Sequence, residues 1–309
     1  MSNYHIGQYI KKRREELNVN QDALCYGICN RSTLSRIERG RQEPSYQVLK
    51  ALLQRLGISE NRCQILIGPQ EFAIVELQRE IVADNVKHDF SAALQKIERL
   101  EALLQPEQQP ILQQFVLRVR ALAGYEKDGQ HFDYDCPTQR RMLKQALDMT
   151  HPNFDLEKIE RCLLSIEDMK SLNQIAITYS ETGERRFAIR IYEQLMKYPR
   201  NRLFNNEALL TVTPMLCYNF SRLLGRERRY EEELEIAQYG YDISLKYDKA
   251  RLLGGLLLNM GCALHELGRD EESKEKLIDS YYAYRLINNK KSCALVANYA
   301  KGKYDIILE

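Results

Sequence analysis

Helical spacing of apolar residues constrains the fold of this chain more than any other feature of its sequence. From Pro69 onward, apolar residues recur at helical intervals in one segment after another, and short polar turns separate the segments. Strand-like alternation is not evident. The chain has 15 glycines and 8 prolines among 309 residues, about half of the usual share. The sequence therefore predicts an all-α protein with long helices.

Composition narrows the class of protein further. Hydrophobic residues make up 44% and charged residues 28% of the chain, so a largely disordered protein is excluded. The sequence has no apolar run of about 18 residues and no signal-peptide pattern, so we expect a cytoplasmic protein without a membrane partner. The eight cysteines and five histidines lack metal-ligand or redox spacing. Phosphate-loop and nucleophile motifs are also missing, so we expect no enzyme, metal site or cofactor.

The charge is divided unevenly along the chain. Residues 1–67 contain eleven Lys and Arg against six Asp and Glu, a net charge of +5. The remaining residues carry a net charge of −3. A small basic domain joined to a larger, slightly acidic one is typical of a nucleic-acid-binding module attached to a sensing domain. We therefore expect a boundary between domains 1–67 and 68–309.

The first domain has the pattern of four or five short helices. The predicted first helix ends near Asn18, and the second spans Gln21–Ile28 with Tyr26-Gly27 inside it. The third begins at Asn30 or Arg31 and stops at Gly40. A fourth follows Pro44-Ser45 and ends at Gly57. In such a tight turn, the third helix projects outward and can enter the major groove of DNA.

The segment from Gln21 to Gly40, QDALCYGICNRSTLSRIERG, resembles the helix-turn-helix of Xre/Cro-type regulators. The string Ser-Arg-Ile-Glu-Arg-Gly is the most specific part of this resemblance, which covers nearly all of residues 5–67. Ile28-Cys29 and the shortened turn are most similar to the RRNPP group of peptide-responsive quorum-sensing regulators of Gram-positive bacteria, which includes Rgg, PlcR and NprR. The resemblance implies double-stranded DNA as a partner.

Position on these helices predicts the residues that contact DNA. The early, outward part of the third helix supplies the candidates for base edges, and a guanidinium there can reach guanine or phosphate. The start of the second helix supplies a phosphate contact. The candidates are Gln21, Arg31, Ser32, Thr33, Ser35 and Arg36. Arg14 and Glu38 resemble the family pair that ties the first helix to the third.

Residues 68–309 resemble tetratricopeptide repeats (TPR). The segments Leu172–Tyr179 and Leu257–Leu264 each place a small residue where paired helices cross and lead to a glycine turn. Gly183, Gly225 and Gly268 recur at intervals of 42 and 43 residues, longer than the standard repeat. We predict five helix pairs and a closing helix: 71–86 with 89–104, 108–126 with 138–149, 166–182 with 184–197, 205–224 with 230–246, 251–267 with 270–287, and 292–306.

Such a stack forms a right-handed TPR-like solenoid whose concave surface is lined by the first helix of each pair, and this groove suits an extended or helical peptide. Asparagines recur in the first helices although Asn is a mediocre helix former. An amide can bind a peptide backbone, and the RRNPP resemblance implies that role here. The alternative is that some are solvated or bond a neighbouring helix. The candidates are Asn173, Asn219, Asn259 and Asn298, with Tyr179 and Arg222, and further contacts from Tyr218, Arg118 and Lys170.

The sequence thus favours a DNA-binding transcription regulator controlled by a short signalling peptide. DNA geometry and the resemblance favour a homodimer on an inverted-repeat operator, because peptide binding can alter the spacing of two DNA-binding domains. Two alternatives stay open at this point. The repeats could recruit a partner protein as an adaptor, or the chain could repress a neighbouring toxin or phage gene without a ligand.

Overall fold

The computed structural model describes residues 6–58, 69–104, 110–127, 130–201, 210–247 and 250–308. In these ranges the chain forms fifteen α-helices, two 3-10 helices and one β-hairpin, which confirms the all-α prediction. No helix within them is long and apolar enough to cross a membrane. Contacts divide the chain into two compact units. One contains the described residues up to Gly183, and the other contains Glu184–Arg200 with the described residues from Leu210 onward.

The first unit begins with four helices that we call the head. They are α1 (Ile6–Glu16), α2 (Gln21–Cys25), α3 (Arg31–Glu38) and α4 (Tyr46–Arg55). Asn20, Asn30 and Ser45 cap the N-termini of α2, α3 and α4 by accepting a hydrogen bond from a backbone amide. The fully buried side chains of the head include Ile10, Leu24, Leu34 and Leu52. This small core fixes α3 against α1 and α2. The predicted junction at residues 67 and 68 lies outside the described residues.

The second helix is shorter than predicted. It ends at Cys25, so the prediction that Tyr26-Gly27 lies inside it is wrong. Gly27 has φ +66, a left-handed conformation that favours glycine and ends the helix. A Cβ at Gly27 would lie only 2.4 Å from the Thr150 Cα, so this position also allows close contact with a later helix.

Five further helices complete the first unit, and each packs mainly against its neighbours in the chain. They are α5 (Pro69–Lys87), α6 (Phe90–Leu103), α7 (Pro110–Ala123), α8 (Cys136–Thr150) and α9 (Ile166–Glu181), with a 3-10 turn at Ile159–Arg161. The predicted helix 108–126 in fact stops at Ala123 and leads into an antiparallel hairpin of β1 (Tyr125–Lys127) and β2 (Gln130–Phe132). Gly124, at φ +74, turns the chain there.

The second unit contains six helices. They agree with the predicted pairs 205–224 with 230–246 and 251–267 with 270–287 and with the closing helix, whereas the predicted pair 166–182 with 184–197 is divided between the two units. The six helices are α10 (Arg185–Asn201), α11 (Thr213–Arg226), α12 (Tyr230–Lys246), α13 (Leu253–Glu266), α14 (Asp270–Leu286) and α15 (Lys290–Tyr304), with a 3-10 turn at Ala250–Leu252. The predicted segment 205–209 lies outside the described residues. Gly225 is not a turn residue like Gly183 and Gly268; it lies in α11, and Arg228 adopts the left-handed conformation after it.

Small residues allow the helices of the second unit to approach closely. A Cβ at Gly240 of α12 would lie 2.5 Å from the Cys217 Cβ of α11. A Cβ at Gly261 of α13 would lie 3.0 Å from Leu277 of α14, and Ser273 Oγ donates a 2.7 Å hydrogen bond to the Gly261 carbonyl. The small position that the repeat pattern predicted at Gly261 is therefore a helix crossing.

Candidate DNA interface and ligand-contacting residues

Helix α3 presents a polar, basic face to solvent. Asn30 accepts a 2.8 Å hydrogen bond from the Thr33 amide and thereby begins the helix. Leu34 and Ile37 point into the head core. The side chains of Arg31, Ser32 and Arg36 are exposed, and those of Thr33 and Ser35 are partly exposed. Five of the six predicted DNA contacts therefore share one accessible helix.

The two arginines of this face are held loosely. Arg31 forms a 3.4 Å ion pair with Asp22 of α2, and both side chains are about two-thirds exposed. Arg36 Nε donates a 3.4 Å hydrogen bond to the Ser32 carbonyl. Exposed contacts of this kind are weak, so a phosphate or a guanine edge can replace them at little cost.

The sixth predicted residue, Gln21, takes part in a buried network. Its Nε2 donates a 2.7 Å hydrogen bond to Glu38 Oε2. Arg14 donates to both oxygens of Glu38, from Nε at 2.6 Å and from Nη2 at 3.1 Å. The hydrogen bond to Glu38 raises the pKa of Arg14 above its ordinary value. The predicted tie between α1 and α3 is thus confirmed, and Gln21 orients α2 on the same carboxylate.

In the first unit, two of the predicted additional ligand contacts meet on one carboxylate. Arg118 Nε of α7 lies 2.7 Å from Glu167 Oε2, and Lys170 Nζ lies 2.8 Å from Glu167 Oε1. Burial favours a raised pKa for Glu167, but the two cations outweigh it and lower that pKa to about 2. This cluster joins α7 to α9 and leaves one net positive charge.

The other candidates of the first unit lie further along α9. Asn173 is 5% exposed, and Tyr179 is 8% exposed. The Arg140 guanidinium lies 3.6 Å from the centre of the Tyr179 ring, and its Nη2 donates to the Thr178 carbonyl. One face of the Tyr179 ring is therefore covered by Arg140.

In the second unit, the predicted residues of α11 and α13 lie together. Asn259 Nδ2 donates to the Tyr218 carbonyl at 3.0 Å and to Ser221 Oγ at 2.8 Å. Asn219 Nδ2 donates to the Met215 carbonyl one turn earlier in its own helix. Arg222 is exposed, and its guanidinium carbon lies 6.0 Å from the Tyr218 ring centre. Asn259 thus links two successive first helices, while Arg222 is open to solvent.

Asn298 differs from the other three asparagines. It lies on α15, the last helix of the stack, and its side chain is exposed. Its surroundings correspond to the solvated alternative that the sequence left open. The prediction of a peptide contact at Asn298 has no supporting contact from a neighbouring helix among the residues described.

One buried polar cluster was not predicted from the sequence. Asp168 is fully buried at the start of α9. Its carboxylate accepts hydrogen bonds from Thr150 Oγ1 at 3.0 Å and from the Ser165 amide at 2.7 Å, and it lies 3.0 Å from His151 Nε2. Burial favours a raised pKa for Asp168, but His151, the Arg55 charge and the hydrogen bond from the Ser165 amide outweigh it and lower the pKa. The Ser165-Ile-Glu-Asp168 capping box was the available sequence signal.

Both parts of the chain match known protein families. A helix-turn-helix family matches residues 10–62. The RNPP family C-terminal domain matches residues 80–304, which is most of the chain. The chain belongs to the RNPP family. A comparison with curated protein sequences gives no match.

Solved structures of similar fold span nearly the whole length of this RNPP-family chain. PlcR from Bacillus thuringiensis, in complex with the peptide PapR7 and DNA, is 22% identical and has a TM-score of 0.60, with 95% of this chain and 99% of PlcR covered. The apo form of PlcR is 20% identical with the same TM-score, and the coverage is 95% and 98%. ComR from S. thermophilus, in complex with DNA and its signalling peptide ComS, is 14% identical with a TM-score of 0.52, and the coverage is 96% and 99%.

Proposed function

We propose that this RNPP-family protein is a sequence-specific transcription regulator whose DNA binding is controlled by a short signalling peptide. The observation that carries the proposal is the exposed polar face of α3 on a helix-turn-helix attached to an RNPP C-terminal domain. It acts in the cytoplasm as a homodimer on an inverted-repeat operator, because paired heads read paired half-sites.

The DNA part of the proposal rests on the head. Arg31 and Arg36 can reach bases or phosphates from the outward face of α3, and Ser32, Thr33 and Ser35 supply shorter donors and acceptors. The buried Arg14–Glu38 pair and Gln21 hold α2 and α3 in fixed relation to α1. PlcR and ComR were each solved in complex with DNA, which supports the same partner for a chain of this fold.

The peptide part rests on the first helices of the predicted helix pairs. In the second unit we assign peptide contact to Asn219, Asn259 and Arg222. Asn173 and Tyr179 are candidates for ligand contact within the first unit. The amide hydrogens of Asn259 are used on α11, so its Oδ1 is the atom that a peptide amide would meet. Asn298 stays a weaker candidate because it lies on an exposed face. The PlcR and ComR complexes each contain a peptide.

The DNA assignment is tested by selecting a duplex from a random library with the wild-type protein. The Arg36→Ala variant should bind the selected duplex about 1–3 kcal/mol more weakly, because a guanidinium contact with a base edge or phosphate is lost. Arg79→Ala is the matched control, since Arg79 is an exposed arginine of α5 outside the head. Equal affinities of Arg36→Ala and the wild type would contradict the assignment, as would failure to select any duplex.

The peptide assignment is tested with a pool of synthetic heptapeptides applied to the wild-type protein. Peptides that are retained should raise the melting temperature of the protein, because a ligand that binds only the folded state stabilises it. Asn219→Ala should weaken retention about tenfold through loss of a hydrogen bond to the peptide backbone. Asn85→Ala, in α5, is the control. Retention that is equal for all three proteins would contradict the assigned site.

A further inference from the structure

Arg55 joins the head to the rest of the first unit. It lies at the end of α4 and is 4% exposed. Its Nη1 donates to the carbonyls of Leu24 and Tyr26, at 2.9 and 2.6 Å, where α2 ends. Its Nη2 donates at 3.0 Å to the carbonyl of Thr150, the last residue of α8. One guanidinium therefore caps the C-terminal ends of two helices, one in the head and one in the rest of the first unit (α5–α9), which we call the body. Carbonyls at such helix ends lack partners and attract cations.

Backbone packing surrounds this guanidinium. Gly27 lies so close to α8 that an added Cβ would be 2.6 Å from the Met149 carbonyl oxygen and 2.4 Å from the Thr150 Cα. Gln54, the residue before Arg55, accepts a 3.4 Å hydrogen bond at Oε1 from the Ile166 amide at the start of α9. The turn that connects α2 to the recognition helix α3 thus rests directly on the end of α8. We call this contact the seat, defined by Gly27, Gln54, Arg55 and Thr150.

The seat continues into α9 through buried hydrogen bonds. Thr150 Oγ1 donates to Asp168, and Gln114 Nε2 donates to both Thr150 Oγ1 and Asp168 Oδ1. Asp168 is 0% exposed and Thr150 is 3% exposed. The preceding residue, Glu167, accepts hydrogen bonds from Arg118 and Lys170. Two adjacent residues in the first turn of α9 therefore contact different groups. Asp168 bonds Thr150 of the seat, and Glu167 bonds the candidate ligand-contacting residues Arg118 and Lys170.

We propose that Arg55 is a positioning residue for DNA binding, which sets the orientation of α3 relative to the body through the seat on Thr150 and Asp168. This inference rests on the proposed function, since it concerns how the two heads of a dimer meet two half-sites. In a dimer, two heads with fixed orientations can bind only half-sites at one separation. Two heads on flexible linkers can bind half-sites at several separations. The hydrogen bonds of Arg55 go to the end of α2 and not to the exposed face of α3, so Arg55 acts through α2.

The orientation is tested first without DNA. Spin labels attached to unnatural amino acids at the exposed positions Lys12 of α1 and Lys144 of α8 report the head-to-body distance in the full-length protein. The wild type should give one narrow distance distribution, and Arg55→Gln should broaden it about twofold or more. Arg13→Gln is the matched control, because Arg13 Nε donates to the Leu56 carbonyl within the head. A distribution as narrow in Arg55→Gln as in the wild type overturns the proposal.

Amide exchange of α1–α4 would reveal whether Arg55→Gln unfolds the head. If it does, a second variant, Asp168→Asn, tests the proposal. Asp168→Asn leaves the hydrogen bonds within the head unchanged, but it removes the charge that supports Thr150 and faces Arg55. It should broaden the same distribution, and a narrow distribution in Asp168→Asn overturns the proposal. Arg55→Lys keeps the charge and one or two of the hydrogen bonds, so it should restore part of the narrow distribution.

The second readout is the half-site spacing profile. The probe is a set of duplexes that carry two copies of the half-site selected by the wild type, separated by spacers of different length. In the wild type, one spacer length should give a higher affinity than the others. In Arg55→Gln this ratio of affinities should be about tenfold smaller, while the affinity for a single half-site stays within about twofold of the wild type. An unchanged preference overturns the proposal. If the wild type selects no duplex at all, the proposed function fails, and the spin-label distances alone decide the seat.

Discussion

At the scale of single residues, Glu233 is unusual because it is a buried carboxyl beside another acid. It is 4% exposed on α12, and its carboxylate lies against Gly225 of α11. Burial, together with the nearby Glu266, raises the pKa of Glu233 to about 8 from its ordinary value of 4.5. The folded protein therefore holds a proton on Glu233 at neutral pH, whereas the unfolded chain has released it.

This difference predicts how stability depends on pH. Below about pH 4.5 Glu233 is protonated in both the folded and the unfolded state. Between about pH 4.5 and pH 8 only the unfolded state loses the proton, so the free energy of unfolding should fall by roughly 3–5 kcal/mol. Glu233→Gln cannot ionise, so its stability should fall much less over this range. Urea unfolding at about pH 5 and about pH 8.5 measures the difference. Glu235→Gln, an exposed neighbour on α12, is the control. Parallel pH profiles for Glu233→Gln and the wild type would refute the prediction.

The Arg14–Glu38 pair in the head gives a second prediction at this scale. The Glu38 side chain is 2% exposed and the Arg14 side chain is 11% exposed. Glu38→Gln should destabilise the head by about 3–5 kcal/mol, because it leaves the Arg14 charge buried without its counter-ion. Glu15→Gln removes a 3.6 Å contact with the same arginine from a side chain that is 56% exposed, and should cost about 0–1 kcal/mol. Amide exchange of the α1–α4 core distinguishes the two variants; equal losses of protection would contradict this reading.

At the scale of elements, the start of α3 depends on one side chain. Asn30 Oδ1 accepts hydrogen bonds from the Thr33 amide at 2.8 Å and from Ser32 Oγ at 2.7 Å. Asn30→Ala should destabilise α3 by about 1 kcal/mol through loss of the N-cap, and Asn30→Asp should retain the cap. Amide exchange within α3 measures the effect, and DNA affinity should fall in parallel. Equal protection of α3 in the alanine and aspartate variants would show that the cap is dispensable.

The same elements show what sequence can predict. Apolar stripes and local punctuation define the helices, so the bounds of α3 follow from Asn30 and Gly40. The polar outer face of α3 follows from the positions of Leu34 and Ile37 on its inner face. Partners far apart in the chain leave no such local signal, because a stripe shows which face is buried and not what covers it. Arg55 and Thr150 are 95 residues apart, and their hydrogen bond was therefore missed.

The candidate ligand-contacting residues illustrate this limit most clearly. Recurrence of Asn placed Asn219 and Asn259 correctly on the first helices of neighbouring pairs. It did not reveal that Asn259 uses its amide hydrogens on the Tyr218 carbonyl and Ser221, because this contact depends on how closely α11 and α13 approach. The end of α7 at Ala123 was missed for a related reason. A short hairpin follows it, and neither of its strands has a buried face that would produce alternation.

At the scale of the whole molecule, the chain consists of two compact units, each stabilised by contacts between successive helices. A stack of this kind has no central core that spans all of its helices, so a local defect should weaken the unit that contains it. Gly240 is suited to test this property. It lies on α12 where a Cβ would be 2.5 Å from Cys217 of α11 and 2.9 Å from Leu256 of α13.

Gly240→Val should destabilise the second unit by about 1–3 kcal/mol, because the added atoms force α12 away from both neighbours. Amide exchange should show reduced protection in α11, α12 and α13, with unchanged protection in the head. Gly302→Ala is the matched control, since nothing lies within 4 Å of a Cβ built at Gly302. This control should be neutral or stabilise α15 by about 0.5–1 kcal/mol. If Gly240→Val also reduces protection in α1–α4, the two units do not fold independently.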